Sequence, residues 1–214
     1  MSMPMFKSMK KNGLILAVFA LLSTALVSLT HYLTADRIFE QQQQQLLNTL
    51  NQVIPVASHD NLLYKSCTLV KDLRYIGTKS PMPAYIATQA GKTTGIAIEG
   101  IAPDGYSGAI KLIVGLDTKG VITGVRILEQ HETPGLGDKI ETSVSDWIYS
   151  FTGKRVNGAN DPKFHVRKDG GEFDQFTGAT ITPRAVVKAV KNISLYWQNN
   201  QQQILSQPLD CPSE

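Results

Sequence analysis

Apart from His31, the stretch Gly13 to Leu33 carries no ionic side chain and is dominated by Leu, Ala and Val. As a helix rising ~1.5 Å per residue it just crosses a hydrocarbon core of ~30 Å. Lys7, Lys10 and Lys11 precede it, whereas Asp36, Arg37 and Glu40 follow with mixed sign. That asymmetry predicts residues 1–12 in the cytoplasm, a transmembrane helix over 13–33 and everything after it outside the cytoplasm. A cleavable signal peptide is the competing reading. Its apolar core is ordinarily ~7–15 residues long, and Leu29 to Ala35 offers no small-x-small cleavage site.

The chain has 21 Lys and Arg against 18 Asp and Glu. Lys7, Lys10 and Lys11 account for the whole difference, so the exported part is neutral. No basic patch of the kind that binds nucleic acid stands out. Beyond the anchor the chain is long enough for one domain with its own core. Cys67 and Cys211 are the only cysteines. In an exported domain they are candidates for a disulfide that staples the tail to the start of the domain, with two unpaired thiols as the alternative. One near each end, they do not form a clustered metal site, and no metal is expected.

Hydrophobic period then assigns the elements. Residues 34–55 read as a helical stalk, with Leu46, Leu50 and Val53 on one face and Pro55 ending it; residues 56–214 read as the domain. Tyr85 to Ile101 reads as a hairpin about Gln89-Ala90-Gly91-Lys92. A second hairpin follows: Ile110, Leu112, Val114 and Leu116 alternate, Asp117 to Gly120 turns, and Val121 to Leu128 returns. Two glycine-bearing loops, Asp104 to Gly108 and His131 to Gly137, lie at the same end of that hairpin. Asp138 is expected to cap a helix from Lys139 to Phe151 striped by Ile140, Val144, Trp147 and Phe151, which makes Trp147 a core residue. The pattern is α+β, with an antiparallel sheet and packed helices.

From Ala185 onward Val186, Val190, Ile193 and Trp197 mark a last helix, with Thr182 as expected N-cap and Pro183 as first helical residue. The run Thr177-Gly178-Ala179-Thr180-Ile181-Thr182-Pro183 thus sets several hydroxyls before a helix N-terminus, where unpaired N–H groups and a partial positive charge favour an anion. A plain Thr-rich cap accounts for the same residues, since capping needs one hydroxyl.

Three segments together, Gly105-Tyr106-Ser107-Gly108, Glu132-Thr133-Pro134-Gly135-Leu136-Gly137 and Asp174-Gln175-Phe176-Thr177-Gly178-Ala179-Thr180, resemble the FMN-binding domain family of Rnf-type and sodium-translocating NADH:quinone reductase-type redox complexes. The likeness covers nearly everything after the anchor and is closer to the Rnf branch. Residues 174–180 match the family's motif Asp-x-x-(Ser/Thr)-Gly-Ala-Thr at every fixed position. The resemblance implies FMN bound covalently through its phosphate to Thr180, delivered from FAD by a flavin transferase that recognises Asp174. It also implies cofactor contacts from Thr177, Gly178, Ala179, Thr182, Tyr106, Ser107, Gly108, Glu132, Thr133, Gly135, Leu136 and Gly137. The expected architecture is one transmembrane helix followed by a periplasmic FMN-binding domain, held in the bacterial inner membrane among the other subunits of an ion-translocating complex. The implied role is electron carriage without turnover of a substrate of its own. Two other readings remain: a tethered binding domain whose loops are only structural, and a flavoenzyme using His131 or Glu132 as acid or base.

Overall fold

The structure is a computed structural model describing residues 3–211, with the side chains of residues 3–8 and of Asp36 outside that description. The expected flanking charges of Lys7 and Asp36, and the tail residue Pro212, therefore lie outside it. A first helix, α1 (Met3–Val53), runs through the apolar stretch and the glutamine tract. Within it Met9–Ala35 is long and apolar enough to cross a membrane. Leu14, Leu16, Phe19, Leu21, Leu26 and Leu33 are each at least 66 % exposed. Apolar surface in water costs ~25 cal/mol per Å², so this side-chain shell suits lipid tails. The chain divides into two units between Gln45 and Leu46. The end of α1, from Leu46, belongs to the second.

That second unit is built on a five-stranded antiparallel meander, β1 (Cys67–Asp72), β2 (Thr78–Gln89), β3 (Lys92–Ala102), β4 (Ile110–Asp117) and β5 (Ile122–Glu129). Both expected hairpins are present. The β2–β3 turn has positive φ at Ala90 and Gly91, the arrangement of a tight two-residue hairpin loop. The β4–β5 turn is closed by the Asp117 carboxylate, which accepts from Lys119 and Val121 N–H. β1 has no counterpart in the sequence reading, and β2 begins earlier than expected. Pro81 and Pro83 lie within β2, but β3 pairs with it only from Ala84 onward, so they sit where the strand has a single neighbour.

A second helix, α2 (Ile181–Leu205), packs on one face of the sheet, where its Val186, Val190, Ile193 and Trp197 are all 0 % exposed. Trp197 Nε1 donates to Asp117 O at 2.9 Å and ties the helix to the hairpin turn. The opposite face is covered by Leu50, Val53 and Ile54, which cluster with Leu63, Cys67, Tyr85, Ala97 and Ile113. The paired glycines Gly115 and Gly124 make room there. A Cβ on Gly115 would collide with Val53 O, and one on Gly124 would stand 2.8 Å from Val53 Cα. A disulfide joins Cys67 to Cys211 and holds the C-terminal tail against β1.

The expected helix over 139–151 is absent. In its place stand two 3-10 turns, Asp138–Ile140 and Trp147–Phe151. The intervening Thr142, Ser143 and Val144 favour helix weakly, and Ser145 diverts the backbone: its Oγ donates to Lys139 O and accepts from Trp147 N–H.

A chain beginning at Leu46 is expected to unfold cooperatively, while one beginning at Pro55 loses three buried side chains worth at least about 5 kcal/mol. Its thermal midpoint should fall by about 10–20 °C. Calorimetry of the two chains reads this, and equal midpoints would refute a structural role for the end of α1.

Candidate functional site

At one end of the sheet three loops converge on one carboxylate. Glu132 follows β5 and is 5 % exposed. Its Oε1 accepts from Ser107 N–H at 3.0 Å, in the loop before β4, and its Oε2 accepts from Thr182 Oγ1 at 2.5 Å, in the first turn of α2. Its own N–H is held by Gln130, whose amide reaches Glu141 Oε1. The glycines around it serve close approach. A Cβ on Gly137 would lie 2.8 Å from Glu132 Oε2 and 2.9 Å from Thr182 Oγ1; one on Gly105 would lie 3.0 Å from Glu132 Oε1. The two glycine loops expected at one end of the hairpin are therefore joined there, with α2 as third partner.

This geometry revises two expectations. Thr182 is not the N-cap of α2: Thr180 holds that position, and Ile181 rather than Pro183 begins the helix. Thr182 is 0 % exposed, and its one O–H is committed to Glu132 rather than free for a phosphate. Glu132 in turn is a buried acceptor already engaged on both oxygens, which does not suit an acid or base acting on substrate. His131 beside it is exposed.

The segment 174–180 is a short, well-supported turn. Ala179 N–H donates to Phe176 O at 3.2 Å, and Gly178 takes φ +81°, the third position of a turn that only glycine fills without strain. An added Cβ there would also stand 3.3 Å from Leu136 Cδ2, so the Glu132 loop touches this turn. Thr177 and Gly178 are exposed, and Thr180 is half-buried. Thr180 makes no side-chain capping bond, although it ends the turn directly before α2. A hydroxyl without a capping bond thus stands at the N-terminus of a long helix, the end where unpaired N–H groups gather. Tyr106, Leu136 and Ile181, from the three converging segments, are 68, 40 and 46 % exposed. Ile181 was not singled out by sequence; its place beside Thr180 and its apolar character were the available signal.

Asp174 keeps 64 % of its side chain exposed while pairing with Arg167 Nε at 3.0 Å. The neighbouring 3-10 turn Arg167–Asp169 is anchored to α2 by two 2.6 Å bonds from Arg184 to Asp169. That hydrogen-bonded guanidinium holds the Asp169 carboxyl below the ordinary carboxylate range. Thr133 and Gly135 lie in the exposed turn of the Glu132 loop, Gly108 in the exposed Gly105 loop. Among the described residues no cluster of His, Cys, Asp and Glu is arranged to hold a metal.

Glu132→Ala leaves the Ser107 N–H and the Thr182 hydroxyl without their acceptor, a loss of about 3 kcal/mol. The urea midpoint should fall accordingly, and fall less in Glu132→Gln, which keeps an oxygen for Ser107. An unchanged midpoint in the alanine variant would show that the carboxylate does not hold the loops together.

Comparison with known proteins matches two segments of the chain. Residues 1–53 match the RnfG N-terminal region, and residues 105–194 match the FMN-binding domain. The G subunit of the ion-translocating oxidoreductase complex of Vibrio vulnificus (strain YJ016) is 59 % identical over 207 residues, covering 97 % of this chain and 98 % of its own. The protein of the same name from Vibrio atlanticus (strain LGP32) is 60 % identical over 210 residues, 98 % of this chain and all of its own. That of Shewanella baltica (strain OS223) is 59 % identical over 203 residues, at 95 and 96 % coverage. The crystal structure of Shewanella oneidensis NqrC superposes with a TM-score of 0.46 at 22 % identity, over 72 % of this chain and 75 % of that one. With most of its length shared with such relatives at more than half identity, the chain belongs to the family of G subunits of ion-translocating oxidoreductase complexes.

Proposed function

We infer that this protein is the flavin-carrying member of a membrane-bound, ion-translocating oxidoreductase complex, with FMN esterified through its phosphate to Thr180. The observation that carries the reading is the contrast among the motif hydroxyls. Thr182 is buried and bonded to Glu132, Thr177 sits exposed in the preceding turn, and Thr180, half-buried, makes no capping bond at the start of α2. The residues fit the group. A phosphodiester on Thr180 Oγ1 keeps one negative charge, which the helix N-terminus favours. Gly178 leaves the approach open, and the exposed Tyr106, Leu136 and Ile181 supply apolar surface for an aromatic ring system. When bound, FMN supplies the electron-accepting and electron-donating chemistry. The chain's own residues bind it, orient it and leave it near the surface, where a partner can reach it.

Attachment needs a transferase and FAD. Thr180 Oγ1 attacks the phosphorus of the FMN half, the bond from that phosphorus to the bridging oxygen breaks, AMP leaves, and the hydroxyl proton is lost. The exposed Asp174 is a recognition point for that enzyme. A covalent link suits a carrier outside the cytoplasm, where released flavin would diffuse away. Lys10 and Lys11 before the apolar span favour a cytoplasmic N-terminus, which puts the FMN domain in the periplasm of a bacterial inner membrane. Other subunits of the complex supply the electron donor and acceptor.

Made in cells with the transferase, the chain should give a fluorescent band on a denaturing gel. Thr180→Ala should abolish the fluorescence with an unchanged thermal midpoint, and Thr177→Ala should keep it. A dark wild-type band would remove the carrier reading; a fluorescent Thr180→Ala band would move the attachment elsewhere.

A further inference from the structure

We propose that Trp147 is the positioning residue that presents the flavin-attachment turn, acting through two contacts of one indole ring. The inference rests on the assignment of FMN to Thr180. Trp147 opens the 3-10 turn Trp147–Phe151 and is only half-buried, unlike Trp197. Its Nε1–H donates to the main-chain oxygen of Asp174 at 2.8 Å. Its ring meets that of Phe176 edge-on, with centroids 5.1 Å apart and planes at 71°. The first and third residues of the motif are thus fixed by one side chain, and the second is held separately, Gln175 Oε1 accepting from Lys168 N–H.

The indole is itself braced. Phe151 stands against it edge-on at 5.4 Å and stacks on Phe173 at 4.4 Å, and Phe173 meets Phe164 at 5.3 Å. Phe173 immediately precedes the motif. The main chain from Phe173 to Phe176 is therefore gripped by aromatic rings at both ends and by one hydrogen bond between them. This grip explains how Asp174 keeps its carboxylate turned toward solvent and Arg167 while its carbonyl is tied inward. The attachment turn begins at Phe176, and Thr180 follows directly after it. Losing either contact frees the start of the turn and so the placement of the Thr180 hydroxyl. Nucleophile placement is what such a transfer is sensitive to, since a displacement of about 1 Å costs on the order of a hundredfold in rate.

Trp147→Phe separates the two contacts by keeping a ring for Phe176 while removing the N–H. Leu50→Ala is the control, because it opens the core on the opposite face of the sheet and touches neither the indole nor the motif. The full-length chain of each is incubated with FAD and the transferase, the FMN mass added to Thr180 is followed over time, and the thermal midpoint is measured in parallel. Trp147→Phe should be flavinylated about tenfold more slowly, with a midpoint close to wild type, and Leu50→Ala should lose midpoint but keep its rate. A wild-type rate in Trp147→Phe overturns the proposal. So does a slowing shared equally by Leu50→Ala, or one that follows the midpoint, since either makes the indole a stability element only. No flavin on the wild-type chain would instead overturn the assignment to Thr180 itself.

Discussion

The two hydrogen bonds received by the buried Glu132 carboxylate are what the functional end of this domain depends on. They join a loop before β4, a loop after β5 and the first turn of α2, three segments far apart in sequence. A buried carboxylate is unfavourable unless its oxygens are bonded, so the arrangement is close to all-or-none: each partner must be in place for the others to be tolerable. Gly105 and Gly137 are part of the same arrangement, since a Cβ at either would displace the carboxylate or its partners. From sequence these were glycines of two loops, with a cofactor contact implied by the resemblance at Gly137. Their first duty is to let three backbones close around Glu132, and the exposed surface that results is where a ligand can lie.

The rest of the fold serves that end by making the sheet a rigid support. α2 covers one face through a continuous apolar stripe, and the end of α1 with the Cys67–Cys211 bridge covers the other. The β4–β5 hairpin is fixed at its turn by Asp117 and by Trp197, so its opposite end, which carries the two loops, has its register set. Sites built on such elements are positioned more precisely than sites on free loops.

What the sequence made legible was whatever repeats with a period. The alternation from Ile110 to Leu116, the Asp117 turn and the stripe along α2 reflect burial of one face, which leaves a regular trace. Lys139 to Phe151 misled for the converse reason. Its apolar residues do fall at helical spacing, but Ser145 satisfies backbone groups locally and breaks the segment into two short turns. Among the threonines, residue type could not separate a committed hydroxyl from a free one. That distinction depends on Glu132, fifty positions away in the chain, and appears only when the loops are folded together. Trp147 shows the same limit. Sequence placed it in the core; its ring packs on the core's edge and stays half-buried, and its N–H finds its polar partner in a carbonyl of the motif.

The start of α2 is where local rules are broken. The residue ahead of it is a threonine, among the side chains best suited to cap a helix, yet it makes no capping bond, and its neighbour Thr182 is spent elsewhere. An unfilled cap costs about 1 kcal/mol in an ordinary helix. The turn before it requires a left-handed glycine, and apolar side chains beside it face solvent. Each departure is minor alone, but departures from local consistency gather at functional positions, where something absent from the bare chain completes the interactions. A phosphodiester on Thr180 would complete this one. Its charge would meet the uncapped N–H groups, and the ring system beyond it would cover the exposed apolar side chains, so one substituent resolves both the polar and the apolar defects of the same few residues.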